Sequence, residues 1–281
     1  MLLWGWNYCA RQSPMLFRTE KSPFGSSPRC VPMTAFDPGR PKLKAEIRRR
    51  GIYLLPNLFT TAALFAGFYA IVQAMNQRFE QAAEAIFIAM VLDGLDGRVA
   101  RLTRTQSAFG AEYDSLSDMV CFGAAPALIM YEWALKSLGR LGWIAAFVYC
   151  AGAALRLARF NTNIDVVDKR FFQGLPSPAA AALCAGLVWV IDDFRIERAE
   201  VVIGIACVLT LFAGVTMVSN VPFYSFKDLN LRRSVPFWAI LLIVLALIVI
   251  STNPPVVLFL MFVAYSLSGY VLWAWRRTSL Q

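Results

Sequence analysis

Four aspartates, Asp93, Asp96, Asp114 and Asp118, interrupt a sequence that is otherwise soluble in lipid. A charge at bilayer depth costs roughly 2.5–3.5 kcal/mol on insertion scales, so an acidic cluster there needs a functional reason. Four carboxylates cannot stay ionised together in a low dielectric without compensation. Two divalent cations would balance them, and a donor set made only of oxygen favours Mg²⁺, Mn²⁺ or Ca²⁺ over zinc. Two such ions roughly 3.5–4 Å apart form a clamp for displacement at phosphorus. Proton sharing, as in a proton-coupled carrier, is a second solution. Ion pairing with Arg98, Arg101 and Arg104 is the purely structural one.

The spacing brings these groups together. Asp93 and Asp96 are three residues apart, and Asp114 and Asp118 are four apart. Both spacings place side chains on one helical face, about 5–6 Å from each other. A short turn between the two segments makes the helices antiparallel neighbours, so all four carboxylates converge near one membrane interface. Gly94, Gly97, Ala100 and Gly110 permit close backbone approach by another helix or by a ligand. The chain contains no histidine, which removes Ser-His-Asp hydrolysis, His-metal sites and phosphohistidine chemistry. Acid–base work falls to Asp, Glu, Lys, Tyr or Cys. The six cysteines lack the spacing of a zinc site or a disulfide framework, and Cys121, Cys150, Cys184 and Cys207 read as small buried hydrophobes.

The elements that must hold this cluster are membrane helices. Of 281 residues, 58% are hydrophobic and 16% charged, against about 25% charged in soluble proteins. The apolar runs predict an all-α, polytopic bundle of about eight transmembrane helices. The expected spans are Leu54–Ala74, Ala82–Leu102, Met119–Leu135, Leu141–Phe160, Pro178–Ile191, Val201–Val218, Val235–Ile250 and Val256–Trp275. Residues 41–52 predict a short basic helix on the membrane surface. Residues 1–40, rich in Ser, Pro and Arg, read as a disordered extension or a mis-assigned start, with Met33 as the alternative. The remainder, 53–277, reads as a single catalytic or transport domain. A net charge of +9 is consistent with nucleic acid, but in a membrane protein it marks loops on the cytoplasmic side. Beyond residue 39, eighteen basic residues fall on the side of the aspartates and five on the other. The positive-inside rule therefore places both termini and the acidic cluster in the cytoplasm.

At the aspartates the sequence resembles the CDP-alcohol phosphotransferase family. The family pattern Asp-x2-Asp-Gly-x2-Ala-Arg-x8-Gly-x3-Asp-x3-Asp is complete in Asp93, Asp96, Gly97, Ala100, Arg101, Gly110, Asp114 and Asp118. The resemblance implies that an alcohol attacks the β-phosphorus of a CDP-linked substrate and CMP leaves. It implies two divalent metal ions, Mg²⁺ or Mn²⁺, with Asp93, Asp96 and Asp114 as ligands and Asp118 as ligand and general base. Gly97, Arg101 and Gly110 would line the nucleotide. Asp114–Pro126, Leu155–Asn161, Phe172–Pro178 and Ser219–Lys227 are similar to the bacterial integral-membrane branch whose substrates are CDP-diacylglycerol and L-serine. That branch implies a transferase of phospholipid biosynthesis in the bacterial inner membrane, facing the cytoplasm, and a possible homodimer. Within the family, glycerol 3-phosphate or inositol phosphate are the alternative acceptors. A cation-coupled transporter is the alternative outside it. No internal repeat and a cluster displaced toward one face argue against transport. Cys121 stands where the resemblance leads one to expect Ser.

Other polar residues carry two readings each. Arg156, Arg159 and Asn161 bind the carboxylate of the acceptor or a phosphate, or else anchor and end a helix on the basic side. Asn57 faces the nucleotide or caps the first span. Gln173–Pro178 forms a substrate loop or simply starts a helix, and Ser219 and Asn220, with Lys227, contact substrate or only end the sixth span near the same face.

Overall fold

The computed structural model describes residues 42–103, 107–162, 171–196, 199–224 and 237–278. The expected extension 1–40, the loops bearing Arg104, Lys169, Arg170, Lys227, Arg232 and Arg233, and the start of the seventh span at Val235 lie outside them. Helix dominates: α1 (Lys42–Met75), α2 (Phe79–Thr103), α3 (Ala108–Asp118), α4 (Ala125–Trp133), α5 (Arg140–Thr162), α6 (Ser177–Asp193), α7 (Glu200–Val218), α8 (Phe237–Thr252) and α9 (Pro254–Thr278). A π-helical stretch, Met119–Ala124, links α3 to α4, and a 3₁₀ turn, Leu135–Leu138, follows α4. Residues 50–281 form one compact unit, while residues 1–49 group separately.

Within that larger unit α6 is the centre. Its sequence, Ser-Pro-Ala-Ala-Ala-Ala-Leu-Cys-Ala-Gly-Leu-Val, is small and apolar on every face, and Ala179 through Val188 are all buried. A helix apolar all round belongs inside a bundle. It packs chiefly on α2 and α9, with α7 and α4 also against it. The closest helix crossing is α5 on α7. A Cβ on Gly152 would stand 2.5 Å from the Gly214 carbonyl oxygen, and one on Gly214 would stand 2.8 Å from the Tyr149 Cα. The two glycines let the backbones touch, which is how membrane helices gain dispersion contact where lipid offers no hydrophobic drive.

Among the described residues, four helical segments are long and apolar enough to cross a bilayer: Asn57–Met75, Arg140–Thr162, Glu200–Val218 and Pro254–Trp275. The protein is thus an integral membrane protein of helical class. The other expected spans differ for identifiable reasons. Helix α2 is 25 residues long but carries acidic and basic groups. Helices α6 and α8 have 17 and 16 residues, short of the ~20 that a perpendicular span needs. The expected Met119–Leu135 helix begins as π-helix and runs back through α3 as far as Ala108.

Pro126 gives that π stretch a cause. Proline has no N–H, so the carbonyl four residues earlier, that of Phe122, loses its α-helical donor. The hydroxyl of Tyr149, fully buried, donates to the Phe122 oxygen at 3.0 Å instead. One small departure from all-α also appears. Phe171–Gln173 (β1) pairs antiparallel with Pro222–Tyr224 (β2), with Phe172 opposite Phe223. Gly174 follows β1 at φ +80°, and its N–H donates to the Val221 oxygen at 2.9 Å. A Cβ there would sit 2.3 Å from the Met217 oxygen, so the turn requires glycine.

Candidate active site

Helices α2 and α3 carry the aspartates, and α1 braces both. Carboxylate oxygens of Asp93, Asp114 and Asp118 lie within 4.8 Å of one another. Asp93 faces Asp118, and Asp96 faces Asp114, each within hydrogen-bonding reach. The helical spacing in the sequence thus brings three of the four together, with Asp96 set beside Asp114. They are not equivalent, however. Asp96 is buried and accepts a 2.8 Å hydrogen bond from the Thr60 hydroxyl on α1. The Ser117 hydroxyl on α3 donates to the Thr60 carbonyl oxygen at 3.3 Å, one turn before the Cys121 thiol donates to the Ala63 oxygen at 3.2 Å. A Cβ on Gly67 would lie 2.7 Å from the Cys121 sulfur. These contacts register α1 against the end of α3, and so fix Asp96 relative to Asp114 and Asp118. Cys121 does keep a polar contact, in which a thiol suffices.

The arrangement fits divalent cations. All donors are carboxylate oxygens, three of them converge, and Asp114 Oδ1 is buried with no hydrogen-bond partner among the described residues. A buried oxygen without a donor asks for a cation or a proton. The structural alternative fares less well: among the described residues no ion pair joins these aspartates to Arg98 or Arg101. Arg101 turns back to donate from Nε to the Gly97 oxygen of its own helix at 2.9 Å, which leaves its terminal nitrogens exposed. Arg104 is outside the described residues.

Beside the carboxylates the backbone is open. An added Cβ would meet nothing within 4 Å at Gly94 or at Gly97. Among the described residues, no neighbouring helix uses either glycine for close contact. Across the same mouth, Ser107 caps α3 by accepting from the Gly110 N–H at 3.0 Å. A Cβ on Gly110 would fall 3.4 Å from Asn57 Oδ1. Asn57, Gly97, Arg101 and Gly110 thus occur on the three helices that hold the acidic cluster. Thr61 and Tyr113 join hydroxyls at 3.0 Å beside them.

On α5, Arg156 and Arg159 diverge. Arg156 lies within electrostatic reach of Asp118 and Tyr265 and donates from Nη1 to the Ser177 hydroxyl at 2.8 Å. Its Nε is buried with no partner among the described residues. Arg159 instead donates from Nη2 to Gln173 Oε1 at 2.5 Å and Asn220 Oδ1 at 2.7 Å, and from Nη1 to the Val218 oxygen at 3.5 Å. Asn161 donates to the Ser115 hydroxyl at 3.0 Å, tying the end of α5 to the helix of Asp114 and Asp118. Gln173 and Asn220 therefore both turn to Arg159.

Residues that sequence reading passed over are Thr60, Ser117, Tyr113, Tyr149 and Tyr265. Asn57 and Thr60 share the three-residue spacing of one helical face, a usable signal. Ser117 stands between two aspartates with no pattern of its own. Tyr265 nears Arg156, and Tyr149 the helix beyond Asp118, only through tertiary packing, which no local signal reports.

These residues belong to a recognisable class. Residues 53–212 match the family model for CDP-alcohol phosphatidyltransferase, and the chain belongs to that family. A Helicobacter pylori (strain J99) protein named CDP-diacylglycerol–serine O-phosphatidyltransferase is 38% identical over 203 residues, covering 71% of this chain and 81% of the relative. Proteins of the same name from Mycobacterium bovis and Saccharomyces cerevisiae are 42% identical over 147 residues and 36% over 141. The first covers 50% of this chain and 51% of the relative, the second 45% and 50%.

Proposed function

We propose that the protein transfers a phosphatidyl group from CDP-diacylglycerol to the hydroxyl of L-serine, giving phosphatidylserine and CMP. The observation that carries this reading is the convergence of Asp93, Asp114 and Asp118 oxygens within 4.8 Å, beside open backbone at Gly94 and Gly97. The names of the relatives support serine as the acceptor.

Asp93, Asp96, Asp114 and Asp118 would hold two divalent ions, Mg²⁺ or Mn²⁺. When bound, these supply positive charge that neutralises the diphosphate and stabilises the departing CMP. Asn57, Gly97, Arg101 and Gly110 bind the nucleotide: glycine surfaces let cytidine lie against backbone, and Arg101 offers exposed guanidinium N–H groups to phosphate. Asp118 is the general base. Its carboxylate takes the serine hydroxyl proton as the serine oxygen bonds to the β-phosphorus. The bond from that phosphorus to the bridging oxygen breaks, and CMP leaves with the electron pair. Arg156, with donors left over beside Asp118, orients the acceptor carboxylate or a phosphate, and Asn161 steadies the helix end next to it.

The basic segment 41–52 lies on the membrane surface, and 53–277 is one catalytic domain. The charged and short helices also cross the bilayer, for eight crossings in all: α6 is largely enclosed by other helices, and α2 keeps exposed apolar residues at Ile88 and Val91. The basic loops then put the site at the cytoplasmic face of the bacterial inner membrane. The acyl chains leave sideways into lipid, and the enzyme works as a homodimer.

The test uses purified protein in lipid nanodiscs with CDP-diacylglycerol, Mg²⁺ or Mn²⁺, and a panel of alcohols, following CMP. Serine-dependent CMP is expected. CMP that depends on glycerol 3-phosphate or inositol phosphate would replace the acceptor, and cation uptake without CMP would replace the class.

A further inference from the structure

Arg159 is held by oxygens that carry no formal charge. Its partners are two side-chain amides and a backbone carbonyl, drawn from β1 and from the segment that closes α7. No ion pair to Arg159 occurs among the described residues. The clamp therefore fixes the guanidinium in space without neutralising it. Arginine stays protonated across the accessible pH range, so the side chain is a fixed positive charge. It sits one helical turn, roughly 4.5 Å along the axis, beyond Arg156 on the same face. Arg156 in turn faces Asp118. The order along α5 from the interior outward is reacting centre, a reading arginine, then a clamped arginine.

The same clamp sets the loop that serves Arg156. Gln173 ends β1, Gly174 turns the chain, and Ser177 begins α6, where its hydroxyl accepts from Arg156. Holding Gln173 therefore also holds Ser177. A carboxylate in place of either amide would keep the hydrogen bond and strengthen it, but it would cancel the charge. An amide is the residue type that keeps geometry and charge together.

We propose that Gln173 and Asn220 determine acceptor recognition by clamping Arg159 with neutral oxygens, so that its unspent charge attracts the anionic group of the acceptor alcohol. They are positioning residues and touch no reacting atom. The inference rests on the acceptor being an anion-bearing alcohol, here serine with its carboxylate.

Gln173→Glu and Asn220→Asp are the informative variants, since each retains the clamp and removes the charge. Both are measured in nanodiscs with Mn²⁺, CDP-diacylglycerol and serine. KM for serine should rise about tenfold in each, with kcat and KM for CDP-diacylglycerol within twofold of wild type and an unfolding midpoint no lower. Arg159→Lys should fall between wild type and Arg159→Ala in KM for serine. An unchanged KM for serine in both acidic variants overturns the proposal. So does a parallel rise in KM for both substrates, which would assign the charge to the diphosphate. Wild-type CMP release that needs a different anionic alcohol refutes serine as the acceptor, and the same KM comparison on that alcohol then decides the clamp. If the acidic variants misfold, Gln173→Asn and Asn220→Gln shift the clamp without adding charge, and KM for the acceptor must rise selectively in them too.

Discussion

Asp118 occupies the position where three demands meet: it faces Asp93, lies within reach of Arg156, and ends α3 where the helix loosens into π geometry. These features are why we propose Asp118 as the base in a chain without histidine. Asp118→Asn should lower kcat by about 10²–10⁴ while CDP-diacylglycerol still binds in a filtration or calorimetric assay. Full activity in that variant would remove Asp118 from its role. Thr60 works through another residue. Thr60→Val takes the hydrogen bond from buried Asp96, and loss of such supporting bonds typically costs 10–100-fold in metal affinity. A Mn²⁺ titration of activity should show that shift, with kcat at saturating metal recovering toward wild type.

At the scale of elements, the π-helical stretch after Asp118 is the informative feature. Pro126 removes a donor from the Phe122 carbonyl, and Tyr149 on α5 replaces it. Tyr149→Phe should leave that carbonyl buried without a donor, at a cost of about 1–3 kcal/mol, read as a lowered thermal midpoint in detergent. Gly152→Val should be at least as harmful, since backbone contact with α7 leaves no room for a side chain. Pro126 is visible in the sequence, and so is the spacing that gathers the aspartates. The compensating tyrosine is not, because it comes from a helix that meets Phe122 only after packing. The expected span Met119–Leu135 starts later than the helix does: hydropathy reads lipid compatibility, whereas the polar turn with Ser117 and Asp118 is helical too, with Ser117 bonded to Thr60 on α1. The β1–β2 ribbon was invisible because three-residue strands carry no periodicity to detect.

For the whole molecule, hydropathy reports the class well and the count of crossings less well. Among the described residues, the four segments that stand out as membrane helices are unburied over much of their surface. Helix α6 is shorter, with Ala179 through Val188 buried, and α2 is charged because it carries the aspartates, so criteria of length and composition pass over both. The acidic cluster was legible because it violates those criteria in a repeated helical spacing. The division of labour between Arg156 and Arg159 was not, since both read as basic residues closing one helix. The basic loops predict sidedness: inside-out vesicles containing CDP-diacylglycerol should release CMP on addition of serine, and right-side-out vesicles only after permeabilisation. Equal rates in both would reverse or abolish the assigned orientation.

The most direct measurement follows labelled serine into lipid with the purified protein, CDP-diacylglycerol and Mg²⁺ or Mn²⁺, before and after removal of metal by chelation. The account predicts labelled phosphatidylserine and CMP in equal amounts, both lost on chelation and both restored by adding the ion back. Labelled lipid formed without metal, or CMP formed without any dependence on serine, would contradict it.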